Sequence, residues 1–85
     1  MGKYEKLIYK ILSGRQDASV QFSEAVALLK ALGFSIRIKG SHHIFFREGV
    51  EEIINLQPDG SKAKAYQVKQ IRDLLVKYRL EEKNE

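Results

Sequence analysis

Two histidines stand side by side in Gly40-Ser41-His42-His43, and the chain has no others. Imidazole is the one side chain whose ordinary pKa lets it both take and give a proton near neutral pH. Arg37, Lys39 and Arg47 flank the pair in sequence, with no cysteine and no acidic cluster to suggest a metal. A proton-transferring group beside cationic strand residues is suited to cutting or gripping RNA. Metal binding by the pair itself is disfavoured, because adjacent strand residues point to opposite faces and no carboxylate stands at ligand spacing. The same alternation allows at most one of His42 and His43 to be a solvent-facing acid or base. Phe45 shares a face with His43, whereas Ile44 and Phe46 share one with His42, and the pattern alone leaves open which face is buried. Ser41 is poorly placed for a Ser-His-acid nucleophile set, since strand neighbours do not bond side chain to side chain in the required way. Gly40 stands alone, without the G-x-G-x-x-G or P-loop spacing that cradles nucleotide phosphates.

The elements that must carry these residues follow from hydrophobic period. Tyr4, Leu7, Ile8, Ile11 and Leu12 give an amphipathic helix over 3–13 that stops at Ser13-Gly14. Residues 15–19 read as a connection. Ser23 is the expected N-cap of a second helix over 23–32, with Gly33 as its left-handed C-cap and Phe34 folding back on the last turn. From Phe34 the period becomes two, with Phe34, Ile36 and Ile38 inward and Ser35, Arg37 and Lys39 wet. Gly40-Ser41 reverses the chain into a strand over 42–47, and Glu48-Gly49 reverses it again into Val50 to Leu56, which ends before Pro58. Residues 57–65 read as a loop and 66–78 as a closing helix striped by Val68, Ile71, Leu74, Leu75 and Tyr78. The expected architecture is an α+β two-layer sandwich, a three-stranded antiparallel sheet packed by helices in the order α-α-β-β-β-α.

With 85 residues, the chain has room for one small core and therefore one domain, 1–85. Its 44% hydrophobic and 31% charged residues are those of an ordinary globular protein. The absence of cysteine fits a reducing compartment, and no signal-peptide or membrane-spanning run is visible, so a cytoplasmic location is expected. A formal charge of +4 leans towards polyanions. The cations collect in the middle of the chain, where Lys62, Lys64, Lys69 and Arg72 join Arg37 and Lys39 as candidates for phosphate neutralisation.

Ser23-Glu24 to Leu32-Gly33-Phe34, then Ile38-Lys39-Gly40-Ser41-His42-His43-Ile44-Phe45, a strand ending near Pro58, and Tyr66 to Leu75 together resemble the HicA toxins, mRNA interferases of bacterial toxin–antitoxin modules. The resemblance covers residues 22–78. It leaves 1–14 as an extra N-terminal helix, expected to pack on the domain, and 80–85 as a flexible tail. It implies a double-stranded-RNA-binding-domain-like fold and a metal-independent endoribonuclease that needs no cofactor. It also implies a HicB-type antitoxin as partner, mRNA as substrate, and no membrane. The family's histidine after Gly-Ser falls on His42, with His43 as the alternative, Gly40 supplying the turn and Ser41 supporting by hydrogen bonding. Arg37, Lys39, Ser41, Lys62 and Lys64 are then candidate RNA contacts. Two other readings remain open, a non-catalytic RNA-binding module of the same fold and a structural interaction protein.

Overall fold

The computed structural model describes residues 2–81, so most of the expected tail, residues 82–85, lies outside the described residues. Two helices, α1 (Glu5–Ser13) and α2 (Phe22–Ala31), precede a meander of β1 (Ser35–Lys39), β2 (His42–Arg47) and β3 (Val50–Leu56). A two-residue hairpin, β4 (Pro58–Asp59) and β5 (Lys62–Ala63), leads into the closing helix α3 (Ala65–Tyr78). The order is α-α-β-β-β-α, with the sheet antiparallel and β2 at its centre. It is the α+β sandwich that the periodicity predicts, consistent with the double-stranded-RNA-binding-domain-like fold that the resemblance implies.

Strand pairing decides the faces. Ile36 pairs with Phe45, Phe45 with Ile54, and His43 with Leu56, so these side chains share one side of the sheet. Phe45, Ile54 and Leu56 are buried there in one cluster with Leu28 and Leu29 of α2 and Val68 and Ile71 of α3. Burial of each such side chain is worth about 1.5–3 kcal/mol, which makes this layer contact the main source of stability. Ile38 lies on the same side but is left 61% exposed at the strand's far end. Its inward pattern is therefore right about direction and wrong about burial.

Local chemistry shifts some boundaries. Ser23 is not the N-cap of α2. Gln21 is, because its backbone N–H donates to Glu24 Oε1 at 3.0 Å and its carbonyl accepts from Ala25 N at 3.1 Å. The stretch 57–65 is not simply a loop, since Phe22 N donates to Ser61 O at 2.9 Å and Ala63 N to Val20 O at 3.0 Å. Those partners are some forty residues away in sequence, and nothing local announces them. The connection at 15–19 contains a 3-10 turn, Asp17–Ser19. At the end of α2, Phe34 N reaches Leu29 O at 3.0 Å and the ring is buried, as the Gly-Phe signal predicts. Leu80, the first residue of the expected tail, donates its N–H to Leu75 O at 3.2 Å and packs against the core.

The N-terminal helix belongs to the same core, because Leu7 and Ile11 are buried in the common cluster. Its C-terminus is tied down by Arg72 of α3, whose Nη1 donates to Ile11 O at 3.1 Å and to Asp17 Oδ1 at 2.8 Å. Gly14 turns the chain there with φ 70°, a left-handed conformation that favours glycine. Hydrogen bonding to Asp17 raises the Arg72 pKa above its ordinary value. Arg72 thus joins three elements as a structural cation and is not a free contact for phosphate.

Candidate functional site

The two histidines are separated by the sheet. His43 turns to the helix side, where its ring meets Phe22 of α2 edge to face at 4.9 Å, and its Nδ1 donates to Ser41 O at 3.2 Å. His42 turns to the open side and is exposed. The loop between them and β1 is a two-residue reversal in which Gly40 has φ 62° and Ser41 has negative φ, the arrangement that needs glycine first. This tight loop sets Lys39 directly opposite His42.

On the open face His42 has one side-chain partner, Asn55 of β3, with Nδ1 3.1 Å from Asn55 Oδ1. An amide oxygen only accepts, so the neutral ring carries its proton on Nδ1 and leaves Nε2 as a bare acceptor. A ring held in this tautomer can accept a proton at Nε2. Arg37 and Lys39 alternate along β1 on this same face, and neither enters an ion pair among the described residues. The Arg37 guanidinium lies 6.0 Å over the Phe46 ring, beside Ile44 and Ile53.

Beside His42 a groove of about 310 Å³ opens between β3 and α3, lined by His42, Ile53, Asn55, Gln57, Tyr66, Gln67 and Gln70. Two glutamines of α3 build its wall by bonding the outer edge of β3. Gln67 Nε2 donates to Asn55 O at 3.0 Å and Gln70 Nε2 to Ile53 O at 3.5 Å. Gln67 is only 1% exposed, and its Oε1 also accepts from Gln57 N and Lys64 N, each at 3.4 Å. One buried amide therefore fixes the end of β3 and the start of α3 together. Gln57 Nε2 in turn donates to Ser41 Oγ at 3.3 Å, so Ser41 supports the loop through Gln57 and has no direct bond to His42.

Of the residues singled out by sequence, Arg37, Lys39, Gly40, Ser41 and His42 come together at this end of the sheet. Lys62 and Lys64 do not belong to that sheet. Lys62 sits on the β4–β5 hairpin, bridged to Gln21, and Lys64 is half-buried as the N-cap of α3. Asn55 escaped the sequence reading, although an asparagine inside Ile-Ile-Asn-Leu is itself a signal, since strands are poor in Asn. Gln67 and Gln70 also escaped it; their spacing of three puts both on one side of a helix. Among the described residues no group of three or more His, Cys, Asp or Glu could hold a metal ion, and no helix is long and apolar enough to cross a membrane.

Residues 22–79 fit the family model described as HicA toxin of bacterial toxin-antitoxin. Neither the curated proteins nor the solved structures yield a match. The matched segment runs from the first residue of α2 to the C-cap of α3 and takes in the whole sheet, with α1 outside it. Since it covers well over half the sequence, the chain belongs to the HicA toxin family and is the toxin of a bacterial toxin–antitoxin pair, with an antitoxin as its partner.

Proposed function

We propose that this toxin is an endoribonuclease that cleaves mRNA with His42 as its proton-transferring group. The observation that carries the reading is the His42–Asn55 pair, which leaves Nε2 bare on an exposed face beside Lys39. His42 Nε2 removes the proton of an RNA 2′-hydroxyl as that oxygen attacks the adjacent phosphorus. A 2′-O–P bond forms and the P–O5′ bond breaks, leaving a 2′,3′-cyclic phosphate and a 5′-hydroxyl. The departing 5′ oxygen takes its proton from water at this open face. Lys39 and Arg37 stabilise the charge that grows on the phosphate oxygens, and Lys62 and Lys64 hold RNA phosphates further along the chain. The step uses no metal or other cofactor, and DNA resists it because it lacks the attacking hydroxyl. A HicB-type antitoxin silences the toxin by covering this face.

The test is cleavage of an end-labelled RNA by purified protein in the presence of a chelator. His42→Ala should lower the rate by about 10²–10⁴-fold while the circular dichroism spectrum and melting temperature stay unchanged, since the ring is exposed. Cleavage retained in folded His42→Ala would remove His42 from the chemistry. RNA binding without cleavage by the unmodified protein would favour the non-catalytic binding module.

A further inference from the structure

We propose that the groove between β3 and the first turns of α3 is a nucleobase subsite. It would hold one unpaired base of the RNA against the Tyr66 ring, so that the toxin acts on single-stranded segments. The inference rests on the reading of this face as an RNA site.

Three features of the groove carry it. Its lining is neutral: beside His42 it consists of amides, Tyr66 and Ile53, with no Lys, Arg, Asp or Glu. A phosphate finds no counter-charge there and goes instead to the cations of β1, whereas a base is planar, uncharged and rich in donors and acceptors. Next, Tyr66 of α3 is 65% exposed and Ile53 of β3 is 60% exposed, and both line the groove, so it offers exposed apolar surface, an aromatic ring included, to a flat ring. Base-on-aromatic stacking of this kind tolerates any sequence, because every base has a π-face. Finally, the volume of about 310 Å³ stands at the small end of ligand pockets, which run from roughly 300 Å³. It has room for a heterocycle the size of a base. The amides of Gln57 and Gln70 each spend one N–H on the protein, through Ser41 Oγ and Ile53 O, and keep their oxygens and second N–H groups for a base edge.

A base inside the groove has left its stack, and in a duplex it would also have left its partner. The energy of unstacking is smallest in a single strand or loop. With His42 in the same wall, the phosphate next to the captured base is the one presented to Nε2.

The experiment measures binding without cleavage. A fluorescent single-stranded oligoribonucleotide carrying 2′-O-methyl groups cannot supply the attacking hydroxyl, so the whole unmodified protein can be titrated against it. Tyr66→Ala should weaken binding by about 5- to 100-fold, whereas Tyr66→Phe should stay within about 2-fold. The slope of log affinity against log salt should be the same in all three proteins, because no phosphate contact is removed. The same sequence closed into a hairpin duplex should bind more weakly than the open strand. Equal binding by Tyr66→Ala, or a duplex bound as tightly as the single strand, would overturn the subsite. A Tyr66 effect on binding in a protein that never cleaves RNA would sink the nuclease reading and leave the subsite standing. His42-dependent cleavage with no Tyr66 effect would do the reverse. No RNA affinity in any form would overturn both.

Discussion

Helix α3 meets strand β3 at two ends, and the two junctions use opposite chemistry. At the N-terminal end of the helix, Gln67 and Gln70 hold the backbone of Asn55 and Ile53 with neutral amides, and the junction stays open as a groove beside His42. At the other end the junction is charged and closed. Lys77 Nζ lies 2.8 Å from Glu52 Oε2, Tyr78 Oη donates to Glu52 Oε1 at 2.5 Å, and Glu51 N donates to Tyr78 Oη at 3.3 Å. Glu51, Ile53 and Asn55 are alternate residues, so α3 satisfies outward-facing backbone groups along an edge strand that would otherwise be free to pair with another chain. The contrast marks where function can be placed. Neutral amides fix geometry without consuming the charges that RNA needs, whereas the carboxylate end is already neutralised within the protein.

The contrast can be broken most sharply at Asn55. If the amide oxygen holds the His42 tautomer, Asn55→Leu should slow RNA cleavage on the order of 10- to 100-fold, through loss of ring orientation, with little loss of RNA affinity. Asn55→Asp should move the ascending limb of the pH–rate profile to higher pH, because a carboxylate facing Nδ1 favours the doubly protonated ring. Unchanged profiles in both variants would confine Asn55 to the fold. Gln67→Leu tests the junction itself. It leaves Asn55 O, Gln57 N and Lys64 N without their partner, at a cost of about 1–3 kcal/mol, which should lower the melting temperature by several degrees and widen the groove.

The charged end should give the smallest effect, and it should appear in stability alone. Hydrogen bonds from Lys77 and then Tyr78 hold the Glu52 carboxyl down at about 2, against an ordinary 4.5. The Lys77 ammonium is correspondingly raised. A depressed carboxylate contributes stability that is fully present above pH 4.5 and is lost as the pH falls towards 2. Lys77 is exposed and Glu52 about one-third exposed, so water and salt screen the pair. Glu52→Gln should flatten the acid limb of the unfolding curve between those values and leave RNA cleavage at neutral pH unchanged. A change in cleavage would mean that the two ends of α3 are coupled.

Much of the frame was readable from local pattern. The three amphipathic helices, the alternation that starts after Gly33, and the Gly-marked turns each advertise themselves within a few residues, because period and turn geometry are local properties. The capping of α2 was misread for the same reason: Ser23 is the better cap in isolation, but Gln21 is already held by its bridge to Lys62. Strand alternation required His42 and His43 to part, whatever the register. Which of them reached solvent depended on which side of the sheet α2 and α3 covered, a matter of packing between distant segments.

The order of elements, the α+β class, the separation of the two histidines and the resemblance to a toxin family are all set locally, since each resides in short spans of residues. Tertiary structure alone decided that His42 faces outward against Asn55 and that Arg72 is committed to Asp17 and the end of α1. It also made Gln67, Gln70 and Tyr66 the wall of a neutral groove. These pairings join residues 10 to 61 positions apart, and side chains so far separated are brought together by core burial, which leaves no local trace in the order of amino acids.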